Sequence, residues 1–334
     1  MLNEDAGRGD SIEIRRAGAD DIPTILELGR RSLGGSSDPG VEALFRWKHF
    51  ESPFGRSPMW IASVGDRVIG LRTFLRWELR TPDAMRLVAV RAVDTATDPE
   101  HQGRGVFMRL TAGALDELRA DGIRLVFNTP NAKSLPGYLK MGWTTVGRLP
   151  VSVMITRARS LAQLATARRP AARNSLPTAV GEPARDVLAD QQAIARLLST
   201  LRAPTGIVTA SSPAYLQWRY GLPSLQYRVM SCGSSPEDGI IVFRLRERGR
   251  AVEAAICEVL VPERAAATTR PAMRRIARET KASYLLRLAS PDGRTRGFLP
   301  APGVGPVLAC RPLDGERAPD LVEWRLALGD VELL

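Results

Sequence analysis

Asp98-Pro-Glu-His-Gln-Gly-Arg-Gly-Val-Phe-Met-Arg-Leu110 is the stretch on which the fold turns. The long apolar run Arg86 to Thr97 before it reads as a strand, and Asp98-Pro99 stops that strand. Gln102-Gly103-Arg104-Gly105 then forms a turn, and Gly103 to Ala120 carries the apolar period of an amphipathic helix. A strand, a glycine turn and a helix in immediate succession leave the helix's first N–H groups unpaired. Together with the positive end of the helix dipole they form a ready anion site. Glycines let the backbone come close to a pyrophosphate, and Arg104 adds positive charge. Glycines that merely cap a helix are the competing structural reading.

Working outward, the first 156 residues alternate strand and helix signals. Ser11 to Arg16 alternates as a strand, and Ala19-Asp20-Asp21 opens a helix whose stripe holds Ile22, Ile25, Leu26 and Leu28. Val41 to Phe50 reads as a second helix. Met59 to Val64 and Arg67 to Leu79 flank Gly65-Asp66, a two-residue hairpin signal. Leu125 to Asn128 is a short buried strand, Ser134 to Met141 a short helix, and Thr144 to Thr156 closing strand material.

A second segment, Asn131-Ala-Lys-Ser134-Leu-Pro-Gly-Tyr138-Leu-Lys140-Met-Gly142-Trp143, completes a pattern. The two segments together resemble the GCN5-related N-acetyltransferase (GNAT) superfamily. Its acyl-CoA loop, Gln/Arg-x-x-Gly-x-Gly/Ala, is matched by Gln102-Gly103-Arg104-Gly105-Val106-Phe107, except that Phe107 replaces the last small residue. Its later signature is matched at Asn131, Tyr138, Lys140 and Gly142, with Ser134 for Ala and Trp143 for Phe. The resemblance covers about residues 11 to 156. It implies acetyl transfer from acetyl-CoA, as co-substrate, to an amine by direct attack. It also implies that the backbone of Thr95, Ala96 and Thr97 pairs with the pantetheine arm, that Asn131 sits where the fifth strand splays away, and that Tyr138 protonates the departing thiolate. A half-buried core tyrosine is the plain structural reading of Tyr138.

The general base stays open. Asp94 lies on the fourth strand near the expected acetyl position and either takes a proton, directly or through water, or forms an ion pair with Arg91 or Arg72. Glu78 is a second candidate. His101 flanks the loop and reads as solvent-exposed, and His49 beside Trp47 as packing at a helix end. The alternative to an enzyme is a non-catalytic acyl-CoA-binding regulatory protein in which Phe107 has impaired turnover.

The second half echoes the first. Trp47 pairs with Trp218 at an offset of 171, where LFRWKHFESPFG from Leu44 resembles YLQWRYGLPSLQ from Tyr215. VIGLRTF from Val68 falls on GIIVFRL from Gly239 at the same offset. After Val261-Pro262, however, ERAAATTRPAMRR holds no Gly-x-Gly. The expected architecture is α/β, tandem GNAT-like domains, each a mixed, mostly antiparallel sheet flanked by helices. The active domain spans 11–156, an Ala/Arg/Pro-rich linker 157–186 and a degenerate domain 187–334.

Composition bounds the rest. The 334 residues are 44% hydrophobic and 25% charged, ordinary values for a folded protein with room for about two domains. Net charge is +11, carried almost wholly by arginines interspersed with acids, which argues against nucleic acid and suits an acidic or phosphorylated ligand. Cys232, Cys257 and Cys310 form no CxxC, and with two histidines a metal site is not expected. No apolar run reaches bilayer length and no signal segment opens the chain, so a cytoplasmic protein without a membrane partner is the expectation. The acceptor, a small-molecule or peptide amine, and the oligomeric state are not legible.

Overall fold

The computed structural model describes residues 11–33, 39–156, 171–172, 174–289 and 297–332. In the first half come β1 (Glu13–Arg16), α1 (Ile22–Leu33), α2 (Pro39–Phe50), β2 (Met59–Val64), β3 (Arg67–Arg80), β4 (Arg86–Thr97), α3 (Val106–Ala120), β5 (Leu125–Asn128), α4 (Leu135–Lys140), β6 (Thr144–Arg148) and β7 (Val151–Ile155). The second half adds β8 (Glu182–Pro183), α5 (Ala184–Val187), α6 (Gln191–Ser199), β9 (Val208–Thr209), α7 (Pro213–Gly221), β10 (Arg228–Ser231), β11 (Ile240–Arg248) and β12 (Ala251–Leu260). It closes with α8 (Thr269–Thr280), β13 (Tyr284–Leu288), β14 (Leu299–Pro300), β15 (Val307–Pro312) and α9 (Leu328–Val331). The signals named above fall on these elements within a few residues.

Two mixed sheets result. One runs β1-β2-β3-β4-β5-β15-β6, with β9 against β3, and the other β14-β7-β13-β12-β11-β10-β8. Each sheet holds an antiparallel hairpin followed by a parallel crossover through a helix. In the first, β4 and β5 pair in parallel from Ala89↔Leu125 to Arg91↔Phe127 across α3. In the second, β12 and β13 pair from Glu253↔Tyr284 to Ala255↔Leu286 across α8. The tandem arrangement is therefore present in the topology, and Trp47, Trp218 and Tyr220 are all core residues.

The chain does not divide as a simple succession at 156 and 187. One compact unit takes the described residues of 1–78, 87–145 and 308–318; the other takes those of 79–86, 146–307 and 319–334. Strand β7 belongs to the second sheet, paired with β13 from Val151↔Leu288 to Ile155↔Tyr284. Strand β15 belongs to the first, pairing with β5 from Ala309↔Asn128 to Pro312↔Leu125. Of the expected linker, 157–170 and 173 lie outside the described residues. The described remainder is packed rather than free: the Leu176 N–H donates to Leu245 O at 2.8 Å, and the Ser175 hydroxyl to Leu225 O at 2.6 Å.

The first unit packs its sheet between two pairs of helices. Helices α1 and α2 close over Met59, Ile61, Val68, Leu71 and Ala96 on one face. Helices α3 and α4 cover Trp60, Ile69, Phe74, Val90, Ala92 and Val126 on the other. Gly70 sets how closely α3 approaches, because a Cβ there would stand 2.5 Å from Val106 Cγ1 and 2.9 Å from Leu110 Cδ1. The second unit's counterpart of the glycine turn is a 3-10 helix, Glu263–Thr268. Among the described residues no helix is long and apolar enough to cross a membrane.

Candidate active site

The parallel pairing of β4 and β5 ends at Arg91↔Phe127, and beyond it the two strands frame an open cleft of about 770 Å³. Asp94 to Thr97 line it from β4, Asn128 to Asn131 from the end of β5, and the glycine turn and first residues of α3 close it. The irregularity that opens β4 is local. Asp94 takes a positive φ of 40°, and the Thr73 hydroxyl caps the bent backbone by donating to Val93 O (2.8 Å) and Asp94 O (3.2 Å).

The turn itself is anchored from below. Asp98, 1% exposed, accepts from the Glu100 N–H at 3.1 Å and from Arg67 Nη2 at 2.9 Å, and Arg31 Nη2 lies 3.3 Å away. Burial works to raise its pKa, but the Glu100 N–H and the arginines outweigh it and hold the carboxyl below its usual range. Gly103 and Gly105 adopt φ of 78° and 74°, the left-handed region. Gly105 is the N-cap of α3, and no side chain caps the helix there. Beyond the adjoining backbone, no atom of the described residues lies within 4 Å of where a Cβ would stand on either glycine, so the turn is an open backbone cradle of the kind a pyrophosphate needs.

Of the residues expected at the site, Asp94, Thr95, Ala96, Thr97, Gln102, Gly103, Gly105, Val106, Phe107, Asn131 and Tyr138 all line this one cleft. Arg104 is exposed and stands off its wall, as does Glu78. The carboxamide oxygen of Asn131 is engaged locally, accepting from the Lys133 and Ser134 N–H groups at 3.0 Å each, which fixes the entry into α4. Phe107 turns its ring onto α4. It meets Tyr138 edge-on at 5.4 Å, and a Cβ on Gly137 would stand 3.0 Å from its Cε1. The large side chain is thus accommodated by a glycine on the facing helix.

Tyr138 is 4% exposed and held by Phe107, by Trp143 at 5.2 Å, and by the Arg72 guanidinium, 5.3 Å from its ring centre. Asp94 pairs with neither Arg91 nor Arg72, as had been one expectation, but with α2. Lys48 Nζ and His49 Nε2 each lie 2.7 Å from its Oδ2. His49 is fully buried, and its Nδ1 meets Ser57 Oγ at 2.9 Å. Burial pushes the imidazole pKa down, against the pull of Asp94. For Asp94 burial opposes ionisation, yet the Lys48 charge and the His49 hydrogen bond prevail and hold the carboxyl well below the usual range. About a third of its side chain (35%) stays exposed, so an anion is presented on the cleft wall. The Ser57–His49–Asp94 array is not a nucleophilic triad, because Ser57 and His49 are buried and neither lines the cleft.

The sequence reading gave Asn128 no role at the site and Arg72 only that of an ion-pair partner for Asp94. Asn128 is 4% exposed and lines the cleft, with no partner for its Oδ1. Arg72 is completely buried behind Thr95 and Tyr138. The signals were there: a polar residue ending a buried strand, and an arginine inside the apolar run VIGLRTF. Asp98, Glu100 and His101 bring ligand atoms within 4.8 Å of one another, but the Asp98 carboxyl is already engaged by arginines.

Comparison with known proteins agrees with this geometry. Residues 13–146 match the family model described as an acetyltransferase (GNAT) domain. No curated protein matches the chain. Several solved structures share its fold over 91% of its length. A GCN5-related N-acetyltransferase from Kribbella flavida aligns with TM-score 0.61 at 15% identity, over 72% of that chain. A protein of unknown function from Enterococcus faecalis V583, described as a probable N-acyltransferase, aligns with TM-score 0.65 at 11% identity, over 73% of its chain. Eis1 from Mycobacterium abscessus aligns with TM-score 0.55 at 14% identity, over 74%.

Proposed function

We propose that the protein is an N-acetyltransferase that moves an acetyl group from acetyl-CoA to an amine by direct attack. The observation that carries this reading is the cleft itself: an open glycine cradle at the start of α3 facing a splayed strand pair, with Tyr138 on the wall. The backbone of Gln102 to Phe107 would hold the pyrophosphate, and the β4 backbone from Thr95 to Thr97 the pantetheine arm. Acetyl-CoA supplies the thioester. Tyr138 supplies the proton that neutralises the leaving thiolate.

Asp94 takes a modified role. A carboxylate stabilised by Lys48 and His49 is a weak proton acceptor, but it is a persistent anion beside the reacting centre. It would orient the acceptor amine or the water that removes its proton. The acceptor is a small-molecule or peptide amine.

The test is direct. Titration of acetyl-CoA into the full chain should give saturable binding, and thiol release with a panel of amines should be amine-dependent. Binding without release from any amine would favour a regulatory acyl-CoA-binding protein, and absence of binding would remove the reading.

A further inference from the structure

Behind the cleft wall, Arg72 is a buried cation that packing and hydrogen bonding do not explain. Its side chain is wholly buried in the middle of β3. Nη1 donates to the Thr95 hydroxyl, while Nε and Nη2 have no acceptor. Among the described residues no carboxylate stands within ion-pair distance of it. Three aromatic rings surround it instead: Phe74 at 4.6 Å, Tyr138 at 5.3 Å and Phe107 at 5.6 Å to the ring centres. A buried cation with two idle donors is unfavourable for folding, and ring faces compensate only part of its lost hydration. Such a group is expected where negative charge arrives later.

We propose that Arg72 is a positioning residue for acyl transfer, acting through Tyr138 on the negative charge released when the thioester breaks. This rests on the acetyltransferase reading. As the acceptor nitrogen bonds to the acetyl carbon, the C–S bond breaks and its electron pair leaves on sulfur. The Tyr138 proton moves to that sulfur, and the surplus proton on nitrogen passes to the water held at Asp94. The negative charge then resides on the Tyr138 oxygen and its ring until a proton is regained from solvent. The guanidinium beside that ring faces the charge in a water-poor setting, where Coulomb attraction is strongest. Thr95 accepts from Arg72 and so keeps its own hydroxyl proton for the cleft. The same cation therefore orders two cleft residues, on β4 and on α4, without lining the cleft itself.

The test compares Arg72→Met, of similar length and apolar, with Arg72→Lys in the full chain. Removing an unpaired buried cation from an apolar cage should leave Tm equal or higher. Amine-dependent thiol release should fall at least about tenfold in Arg72→Met, with acetyl-CoA Kd within about twofold, and Arg72→Lys should recover most of the rate. In a Tyr138→Phe background, Arg72→Met should slow the reaction by less than about twofold more, because both changes remove one device. Wild-type turnover in Arg72→Met, effects that multiply, or a variant that fails to fold would each overturn the proposal and make Arg72 a core residue. A wild-type protein that neither binds acetyl-CoA nor releases thiol removes the underlying reading, and that result precedes any variant.

Discussion

Gly105 and Tyr138 separate binding from chemistry at the scale of single residues. At Gly105 the backbone is left-handed and the space above it empty, so two substitutions ask two questions. Gly105→Ala tests conformation alone and should cost about 1 kcal/mol of stability. Gly105→Glu adds a negative side chain where phosphate is expected, and acetyl-CoA affinity measured by calorimetry should fall at least about tenfold further, about 1.4 kcal/mol. Equal affinity in the two variants would sink the cradle assignment. Tyr138→Phe keeps the edge contact with Phe107 and the cation beside the ring. Turnover should drop at least about tenfold with acetyl-CoA binding unchanged; a wild-type rate would make Tyr138 a packing residue. What was legible at this scale was whatever a local motif encodes: the glycines, Tyr138 and the β4 positions. Arg72, Lys48 and His49 act on those residues from other elements, and no spacing along the chain announces which strand or helix will face which.

Elements place the residues, and α3 is the decisive one. Its N-terminus delivers the glycine turn, and its height over the sheet is set at Gly70, beneath Val106 and Leu110. Leu110 has a flexible end, but Val106 is stiff at χ1 and sits in the first turn, beside the cradle. Gly70→Ala should therefore destabilise by about 1–3 kcal/mol in urea unfolding and weaken acetyl-CoA binding as well, because the turn moves with the helix. Lost stability with unchanged affinity would show that the strain is absorbed elsewhere than at the cradle. The strand, turn and helix were readable because each is encoded by neighbouring residues. The spacing of α3 from β3 was not, since a glycine inside a strand names no partner. The assignment of β7 and β15 to sheets was hidden for the same reason: their apolar patterns fit either sheet, and only pairing with β13 and β5 decides.

At the scale of the whole molecule, the buried ionisable groups of the two units push stability in opposite directions with pH. In the first unit His49 is buried neutral, with its pKa lowered. The unfolded chain then binds a proton that the folded chain resists, and stability falls as pH drops below about 6.5, with loss of the Asp94 charge adding to it at still lower pH. The second unit carries the reverse case in Glu258, whose side chain accepts from the Tyr220 hydroxyl at 3.1 Å. Burial, reinforced by the charge of Asp330, pushes its pKa up to about 8. Its proton is bound in the folded state and released on unfolding across the window between its ordinary value and about 8. The associated stability is full below about pH 4.3 and is lost as pH rises through that window, at most about 1.4 kcal/mol per pH unit. Glu258→Gln keeps the shape and an oxygen for Tyr220 while removing the titration. Thermal denaturation from pH 5 to 9 should therefore show a shallower alkaline decline in Glu258→Gln. His49→Gln should flatten the acid limb and leave the alkaline limb unchanged. An alkaline slope that is the same in wild type and Glu258→Gln would mean that Glu258 is ionised in the folded protein, with the buried arginine Arg219 compensating its charge in place of a proton.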